Sequence, residues 1–442
     1  MMKTKLKGML LVLILLIGCC GIAAAEDEIR VNLNGREISF DVPPQMINDR
    51  TMVPVRAVFE AMGATVSWDP QTSTVQAVKG NAQVEMTVGQ GFARVNGNAV
   101  PIDAPPVNLD GRVLVGARFA AEGFGCRVEW DGLSRIVTIS DAGLLTARFL
   151  DVGQGDSELV TLPDGKVMLI DAGGNILPAL DMLGVTKIDY LVATHPHSDH
   201  IAYLDEVIRH CEVGAVYMPR VSHTTQDYEN LLTAVQEKGL SIQAAKAGIE
   251  IASSPAYEIR VLSPVLEQYA ELNDYSAVIR VRYGDGAMIF MGDALEEAEA
   301  YIAGDVSAEV LKVGHHGSKT STSETFFRRV NPKYGVISCG AGNPYGHPSD
   351  EILRRLSGIA VYRTDQDGHI TMIADSSGVN GVYTRKEMAQ PSMPEVAGGF
   401  FRTQTGSKYH IEGCRSLAKS KIPVSQKEIE ELGLTPCGIC IN

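Results

Sequence analysis

Apolar and polar positions alternate in two distinct ways along this chain, and the change of pattern falls near residue 144. Beyond it, short apolar runs predict strands at 144–150, 159–162, 167–170, 190–193, 213–218, 287–291, 310–313 and 335–339. Between them, apolar residues at helical spacing predict helices at 177–183, 201–210, 228–238 and 294–302. Strands that alternate with helices indicate a layered α/β core in this part of the chain.

Residues 26–140 instead contain an internal repeat with an offset of 62 positions. The segment from Arg50 to Arg56 recurs as the segment from Arg112 to Arg118, and both tryptophans of the chain, Trp68 and Trp130, fall at the same repeat position before an aspartate. Each unit predicts a short helix, a glycine turn and then strands that end near the Trp-Asp pair. We expect the tryptophan to anchor the core, with ligand binding as the alternative.

This repeat resembles the copper amine oxidase N-terminal-like domain of exported bacterial proteins, and we assign it to 26–141. The resemblance implies a small α+β domain. The segment has no histidine, so it offers no copper site of the usual kind. We therefore interpret the domain as a spacer or as a module that contacts the cell wall or surface.

The first residues have the pattern of an export signal. Lys3, Lys5 and Lys7 precede an apolar run at 9–17 that is too short to span a bilayer. Residues 1–25 are thus predicted to be a signal peptide, which places the protein outside the cell or on its surface. Cleavage before Glu26 and acylation of Cys19 in a lipoprotein-like motif remain alternatives. No later stretch is long and apolar enough to span a membrane.

Composition narrows the function classes. The chain has 442 residues, of which 45% are hydrophobic and 21% charged, so it is neither disordered nor fibrous. Its net charge of −14 lies almost entirely in the middle of the chain and repels polyanions, which excludes a nucleic-acid coat protein. Cys126, Cys211 and Cys339 are isolated in sequence, so we expect small buried side chains there rather than a disulfide framework.

The strand predicted at 190–193 ends in a cluster of metal-binding residue types. Three imidazoles and one carboxylate follow within a few positions: His195, His197, Asp199 and His200. Histidine and carboxylate side chains are the usual ligands of zinc and related divalent ions. A single turn can direct all four side chains at one or two cations. We therefore predict a metal centre here.

This H-x-H-x-D-H element resembles the metallo-β-lactamase superfamily, and further pieces follow in the superfamily's order. The resemblance implies an αββα sandwich over 144–384 and a hydrolase with two divalent ions, zinc first and manganese as the alternative. It implies that Asp171 orients ligands and that Asp293 bridges the ions. It assigns His195 and His197 to the first ion, and the second ion to Asp199, His200 and His347.

Three longer segments, 149–157, 311–320 and 338–347, are similar to the hydrolase domain of ComEC-type DNA-uptake competence proteins. That family's membrane channel has no counterpart in this sequence, so we expect a free, exported relative. By the same resemblance, Asp199 passes a proton to the leaving group. Residues 152–155 are expected to form a hairpin turn rather than a phosphate cradle.

The sequence departs from the superfamily at one ligand. Many members carry a further histidine before the bridging aspartate, whereas here His210 and His223 lie between in no recognisable ligand context. We expect His210 at a helix end, and His223 either lines the site or has a plain loop role. His315 or His316 could complete the first ion instead. We predict catalytic roles for Asp171, Asp199 and His316. Substrate donors beside the metals, suited to a phosphate, are predicted to be His223, Lys312, His315, Ser318 and Lys319.

The last residues predict a small separate unit at 401–442, after a linker at 385–400 that is rich in proline and glycine. One histidine and three cysteines form a tetrahedral ligand set typical of structural zinc: His410, Cys414, Cys437 and Cys440. A disulfide is the alternative. The unit resembles the metal-binding domain of the bacterial Ada DNA-repair protein, and its basic residues could hold a phosphate backbone weakly.

These observations together predict an exported, metal-dependent phosphodiesterase that hydrolyses nucleic acid, with DNA the first choice, through a water activated at a dinuclear site. The alternative keeps the fold but changes the substrate to a small lactam, lactone or thioester. A non-catalytic surface-binding protein is the third hypothesis. The intact set of predicted metal ligands argues against it.

Overall fold

The computed structural model describes residues 29–140, 143–385, 400–403, 408–411, 417, 422–424 and 435–436. The predicted signal peptide lies outside the described residues, as do Cys414, Cys437, Cys440 and nearly all of the predicted linker. Within the described part of the chain, no helix is long and apolar enough to cross a membrane.

The N-terminal domain is a set of short strands around two short helices. Its strands are β1 (Arg30–Leu33), β2 (Arg36–Glu37), β3 (Gln45–Ile47), β4 (Arg50–Pro54), β5 (Thr65–Asp69), β6 (Thr74–Lys79), β7 (Ala82–Thr87), β8 (Phe92–Val95), β9 (Asn98–Pro101), β10 (Val107–Leu109), β11 (Arg112–Gly116), β12 (Arg127–Asp131) and β13 (Ile136–Ser140). Its helices are α1 (Val55–Ala61) and α2 (Ala117–Glu122). The predicted order of helix, glycine turn and strands holds in both repeats.

The two repeats are related by an approximate two-fold axis. Strands β4 and β11 pair antiparallel with Val53 opposite Val115, which are the same repeat position. Each remaining sheet mixes strands of both repeats, in the orders β12-β13-β1-β2 and β5-β6-β7-β8-β9. The first hairpin of one repeat therefore lies in the same sheet as the last hairpin of the other. One apolar core lies between them and includes Phe59 and Phe119.

The second domain supplies two larger sheets. Its strands are β14 (Leu145–Phe149), β15 (Glu158–Thr161), β16 (Val167–Ile170), β17 (Lys187–Val192), β18 (Glu212–Met218), β19 (Ile242–Ala244), β20 (Glu250–Ser253), β21 (Tyr257–Ser263), β22 (Val278–Tyr283), β23 (Gly286–Phe290), β24 (Val310–Lys312), β25 (Tyr334–Ile337), β26 (Ala360–Arg363), β27 (His369–Asp375) and β28 (Gly378–Arg385). Its helices are α3 (Leu177–Met182), α4 (Ser198–Ile201), α5 (Leu204–His210), α6 (Gln226–Glu237), α7 (Glu296–Tyr301), α8 (Glu324–Val330), α9 (Asp350–Arg355) and α10 (Thr364–Asp367).

These elements stack in four layers. One sheet has the order β19-β18-β17-β16-β15-β14-β27-β28 and the other β20-β21-β22-β23-β24-β25-β26. The largest apolar cluster, with Phe149 and Phe290 stacked in it, includes residues of both sheets and joins their facing sides. A second cluster packs α3, α5 and α6 on the first sheet, and a third packs α7, α8 and α9 on the second. The predicted αββα sandwich is confirmed.

The N-terminal domain is packed onto this sandwich through buried polar contacts. Arg148 on β14 donates to Asp131 on β12 at 2.6 Å, and both side chains are nearly fully buried. Ser134 and Thr371 share a hydrogen bond across the same boundary. Ile136 packs with Ile373 and Tyr383 beside them. The N-terminal domain is therefore fixed against the sandwich and does not hang from it as a loose spacer.

The described C-terminal residues form a small sheet. Its strands are β29 (Phe400–Arg402), β30 (Lys408–Ile411), β31 (Ile422–Val424) and β32 (Thr435–Pro436), in the order β31-β29-β30-β32. His410 lies on β30 and is buried. The three cysteines of the predicted zinc site lie outside the described residues, so that site remains a prediction.

Candidate metal centre

The predicted metal ligands come together at the carboxyl ends of strands from both sheets. The loop from His195 to His200 follows β17, and Asp171 follows β16 in the same sheet. Asp293 follows β23 in the facing sheet, and His315 and His316 follow β24. Because strands that run in parallel end at one edge, residues far apart in sequence meet at a single site.

Asp171 holds the first part of this site in place. It is fully buried, and its carboxylate accepts the backbone N–H of Thr194 at 2.7 Å and the Thr194 hydroxyl at 2.6 Å. The same carboxylate lies 2.7 Å from Nδ1 of His200. That contact directs Nε2 of His200 away from Asp171 and toward the centre of the site. Asp171 thus fixes the orientation of the His200 ring, and His200 is one of the predicted ligands.

Two glycines let the loop of Asp199 approach closely. A Cβ atom on Gly173 would lie 1.8 Å from the carbonyl oxygen of Asp199, and one on Gly155 would lie 2.5 Å from it. With no side chain in the way, the backbone N–H of Asp156 donates to that carbonyl at 3.0 Å. Residues 152–155 join β14 to its antiparallel neighbour β15 as the predicted hairpin turn, and this turn supports the metal-binding loop.

Asp293 is the point of convergence. Its Oδ1 lies 3.2 Å from Nε2 of His200, and its Oδ2 lies 3.9 Å from Nε2 of His195. Oδ2 is also 3.5 Å from Nε2 of His316 and 3.7 Å from Nε2 of His315. One carboxylate therefore faces imidazole nitrogens on several sides. This is the arrangement expected of a carboxylate that bridges two cations.

His316 lies in the middle of the cluster. Its Nε2 is 3.2 Å from Oδ2 of Asp199, and its Nδ1 is 3.1 Å from Oδ1 of Asp156. Ligand atoms of four buried residues lie within 4.8 Å of one another: Asp156, His200, Asp293 and His316. His315 and His316 both have left-handed backbones, with φ of 50° and 53°. Two such residues in succession are uncommon, and backbone strain of this kind concentrates at functional sites.

The electrostatics of this cluster call for positive charge. Burial opposes ionisation of Asp293, yet His316 and His200 outweigh it and hold the pKa of Asp293 well below its usual range. Burial likewise disfavours a charged His316, but Asp293 and Asp156 raise its pKa to about 10. The pKa of His200 is raised well above its usual value, because Asp293 and Asp171 overcome the effect of burial.

Divalent cations fit this donor set. Nε2 of His200, Nε2 of His316 and Oδ1 of Asp293 are buried and lack a hydrogen-bond partner among the described residues. Buried polar atoms are otherwise almost always satisfied, so atoms that converge without partners point to a missing ligand. Imidazole nitrogens and carboxylate oxygens are also the ligand types that zinc and manganese accept.

The remaining predicted ligands lie around the rim of the cluster. Nε2 of His195 is 2.9 Å from Nδ1 of His197, and the His197 ring faces the ring of His223 at 5.9 Å between centroids. Burial lowers the pKa of His195 far below its usual value, which leaves the imidazole neutral and able to bind a metal. His347 packs 5.7 Å from the ring of His315, and its buried Nδ1 has no partner among the described residues.

Above the cluster lies a cavity of about 370 Å³. It is lined by polar side chains, namely Gln154, His197, Ser198, Asp199, His223, Thr225, Asn273, Asp293, His315, His316, Tyr345 and His347. His223 thus faces the cavity, which favours the substrate-lining alternative over a plain loop role. Asp199 is the most open of the predicted carboxylate ligands, with 37% of its side chain exposed.

Three of the five predicted substrate donors do not line the cavity. Lys312 does not face the cavity but is fully buried, with Nζ 2.6 Å from Oδ2 of Asp156. It stabilises the carboxylate that contacts His316 and cannot reach a substrate. Ser318 is nearly buried and its hydroxyl is hydrogen-bonded to Thr320, while Lys319 is exposed. Neither residue lines the cavity.

Two family profiles match this chain. Residues 32–139 match the copper amine oxidase N-terminal domain, and residues 150–341 match the metallo-beta-lactamase superfamily. The second match contains Asp171, the H-x-H-x-D-H loop, Asp293 and His316. Residues 150–341 thus form a metallo-beta-lactamase superfamily domain. The superfamily and the N-terminal repeat domain predicted from the sequence are both confirmed.

The chain also resembles known bacterial proteins. It is 34% identical over 249 residues to ComE operon protein 3 of Bacillus subtilis, a match that covers 50% of this chain and 32% of the relative. It is 29% identical over 241 residues to competence protein ComA of Neisseria gonorrhoeae, covering 52% of this chain and 32% of the relative. The chain thus spans about a third of the length of these relatives.

Among solved structures, the metallo-beta-lactamase fold protein YhfI of Bacillus subtilis is similar at a TM-score of 0.37 and 12% identity. The match covers 55% of this chain and all of YhfI.

Some residues of the site were not predicted. Asp156 contacts His316 from below, and Gln154, Thr225, Asn273 and Tyr345 line the cavity. Asp156 could have been predicted from the sequence, because it follows the glycine-containing hairpin within the segment 149–157 on which the family resemblance rests. Asn273 carried none, since it reaches the site from a short 3-10 turn at Leu272–Tyr275.

Proposed function

We propose that this protein is an exported, metal-dependent phosphodiesterase that hydrolyses nucleic acid, with DNA as its substrate. The observation that carries the proposal is the cavity itself. Imidazoles and carboxylates converge on Asp293 beneath an open, polar rim, and the same domain is similar to proteins named for competence. A phosphodiester offers anionic oxygens to bound cations and acceptors to rim donors such as His223 and Asn273.

Two groups of residues would hold the cations. His195, His197 and Asp293 would hold the first, and Asp293 would be shared with the second. Asp199, His200 and His316 would hold the second cation, with His347 approaching from the rim. Bound divalent ions would supply Lewis-acid activation of a water and would stabilise the negative charge that develops on a scissile phosphate.

The protein's own residues supply orientation and proton transfer. Asp171 and Asp156 each contact Nδ1 of a histidine, which directs the other ring nitrogen into the site. Burial raises the pKa of Asp199, but the adjacent His316 imidazole and the charge of His200 outweigh this effect, and the net pKa is lowered. An ionised Asp199 is suited to accept the proton of the attacking water. Donation to the leaving group, as the family resemblance implies, would follow once Asp199 holds that proton.

The cellular setting forms part of the proposal. Cleavage of residues 1–25 would release a secreted protein, or acylation of Cys19 would anchor it at the surface. The unit at 401–442 would hold a structural zinc through His410 and three cysteines. Its basic residues would then assist weak binding of nucleic acid.

The decisive experiment measures cleavage of fluorescent single- and double-stranded DNA. The protein begins at Glu26, and Zn²⁺ or Mn²⁺ is added in turn. We expect cleavage that EDTA abolishes and that one ion restores. The double variant His197→Ala, Asp199→Asn should lose it. His210→Ala is the matched control, because His210 pairs with Asp181 at the end of α5, outside the site. Unchanged cleavage by the double variant would overturn the assignment. Turnover of nitrocefin or a thioester without DNA cleavage would move the substrate to a small lactam or ester.

A further inference from the structure

The N-terminal domain contains two grooves, and equivalent residues of the two repeats line them. The first has a volume of about 710 Å³ and is lined by Trp68, Arg56, Asp41 and Arg112, among others. The second has a volume of about 360 Å³ and is lined by the residues 62 positions away: Trp130, Arg118, Asp103 and Arg50. The two grooves are therefore copies related by the approximate two-fold axis between Val53 and Val115.

Each groove is assembled from both repeats. Asp41 of the first repeat pairs with Arg112 of the second, and Asp103 of the second repeat pairs with Arg50 of the first at 2.7 Å. All four side chains remain about half exposed, so the pairs lie at the groove edges and are open to a ligand. Exposed ion pairs contribute little to the stability of the fold. The same Asp–Arg pair nevertheless occurs in both grooves, which folding alone does not explain.

The tryptophans form the apolar wall of each groove. Trp68 and Trp130 pack against the domain core and are only partly buried, so each indole leaves a surface in its groove. Val66 and Val128 extend that wall along the same strand face. An indole beside planar hydrogen-bonding groups fits a ligand with one apolar face and a polar edge.

The charges in the grooves select the class of ligand. The first groove has two arginines and two acids, with Glu60 as the second acid, and the second groove has the same balance, with Asp49. Neither groove has a net positive charge, and the whole chain carries −14. Polyanions are disfavoured under these conditions. A pyranose ring meets the requirement, because its C–H face stacks on an indole while its hydroxyls bond to carboxylate and guanidinium groups.

We propose that the N-terminal domain binds a neutral glycan chain, with one sugar segment in each groove. Two equivalent grooves suit a polymer with a repeating unit, since each groove can hold the same chemical group. The domain, packed rigidly on the hydrolase, would then fix the enzyme at a glycan surface. This inference does not depend on the substrate of the metal centre.

The test can use the protein's own fluorescence, because the chain has two tryptophans and each lines one groove. The whole protein is titrated with chitohexaose, an N-acetylated amino-sugar chain, and separately with cellohexaose, which lacks the acetamido groups. We expect a saturable change in emission with at least one of them. The sugar that binds more tightly shows whether the glycan carries acetamido groups. Trp68→Phe and Trp130→Phe should each retain about half of the change.

Rim variants separate binding from folding. Arg112→Gln and Arg50→Gln should each weaken binding at their own groove about tenfold, the effect of losing a charged hydrogen bond. Arg94→Gln is the matched control, because Arg94 is exposed on β8 and lines neither groove. If Arg112→Gln lowers the melting temperature, Asn108→Ala on the rim of the same groove replaces it.

Three results would overturn the proposal. The first is no change of emission with either sugar up to about 10 mM, beyond any useful affinity. The second is an equal change with a single-stranded DNA oligomer. The third is binding that neither arginine variant weakens.

Discussion

Lys312 shows how a charged residue can support a metal centre without facing it. Its Nζ lies 2.6 Å from Asp156 and 4.0 Å from Glu158, in a region with no exposure to solvent. Burial lowers the pKa of Lys312, but Asp156 and Glu158 more than offset this effect, so the ammonium stays charged. The pKa of Glu158 is raised well above its usual value, first by burial and then by the charge of Asp156.

Replacing this lysine should therefore destabilise the protein. Lys312→Met leaves Asp156 buried without its cation, and we expect a loss of about 3–5 kcal/mol in the free energy of unfolding. The double variant Lys312→Met, Asp156→Asn should recover part of this loss, since no unpaired charge remains. Urea unfolding measures both. Lys333→Met, which removes an exposed lysine from its pair with Glu309, should cost less than about 1 kcal/mol. Equal costs for the two lysines would contradict the buried-charge argument.

Asp171 gives a second prediction at this scale. Asp171→Asn keeps a side chain that tolerates the positive φ of 58° at this position, but it removes the negative charge beside His200. We expect metal affinity to fall about 10–100-fold, as for other residues that orient a ligand histidine. Competition with a chromogenic chelator reports the affinity. Asp110→Asn is the control, because Asp110 also has a positive φ but lies in a turn of the N-terminal domain. A fall in metal affinity for Asp110→Asn, with none for Asp171→Asn, would contradict the role of Asp171.

The sequence did not reveal the position of Lys312, for a simple physical reason. A strand of three residues, Val310–Lys312, has no room to show alternation, and a lysine near histidines looks like a substrate donor. Its partner Asp156 is 156 positions away in sequence and becomes its neighbour only when the two sheets pack. The H-x-H-x-D-H cluster, in contrast, was predictable because its side chains are local to one turn.

At the scale of elements, strands with a continuous apolar run were predicted well, and several strands with an interrupted run were missed. The predictions at 190–193, 213–218 and 287–291 correspond to β17, β18 and β23, whose apolar runs are continuous. The predictions missed β21, β22, β27 and β28, where polar residues interrupt the apolar run. The helix predicted at 201–210 begins later, as α5 at Leu204, because Ala202 and Tyr203 form a turn after α4.

The joint between β12 and β14 carries a prediction of its own. Arg148→Met leaves Asp131 buried without its partner, and we expect a loss of about 3–5 kcal/mol. Because the pair joins two domains, the loss should also separate their unfolding into two calorimetric transitions. Arg328→Met, which removes an exposed pair with Glu324 on α8, should leave the transition unchanged within about 0.5 kcal/mol. A single transition that is merely shifted would mean that the remaining contacts couple the domains by themselves.

At the scale of the whole molecule, we expect cations in the metal centre to link the two sheets of the sandwich. His195, His197 and His200 follow a strand of one sheet, whereas Asp293 and His316 follow strands of the other. Cations bound between them stabilise the folded state by linkage, so EDTA should lower the melting temperature as well as abolish hydrolysis. Differential scanning calorimetry before chelation, after it and after addition of Zn²⁺ or Mn²⁺ checks this. Activity lost with no change in the melting temperature would place the essential ion elsewhere.

The crossed arrangement of the N-terminal repeats has a further consequence. Strand β1 of the first repeat pairs with β13 of the second, and both ends of the domain depend on this exchange. A chain that carried a single repeat would lack the partner of its own closing hairpin and would complete its sheet from an identical neighbour. The domain thus has the arrangement of a swapped homodimer within one polypeptide. Strand β7 lies between β6 and β8 and has no counterpart in the other sheet, so the symmetry of the two repeats is broken there.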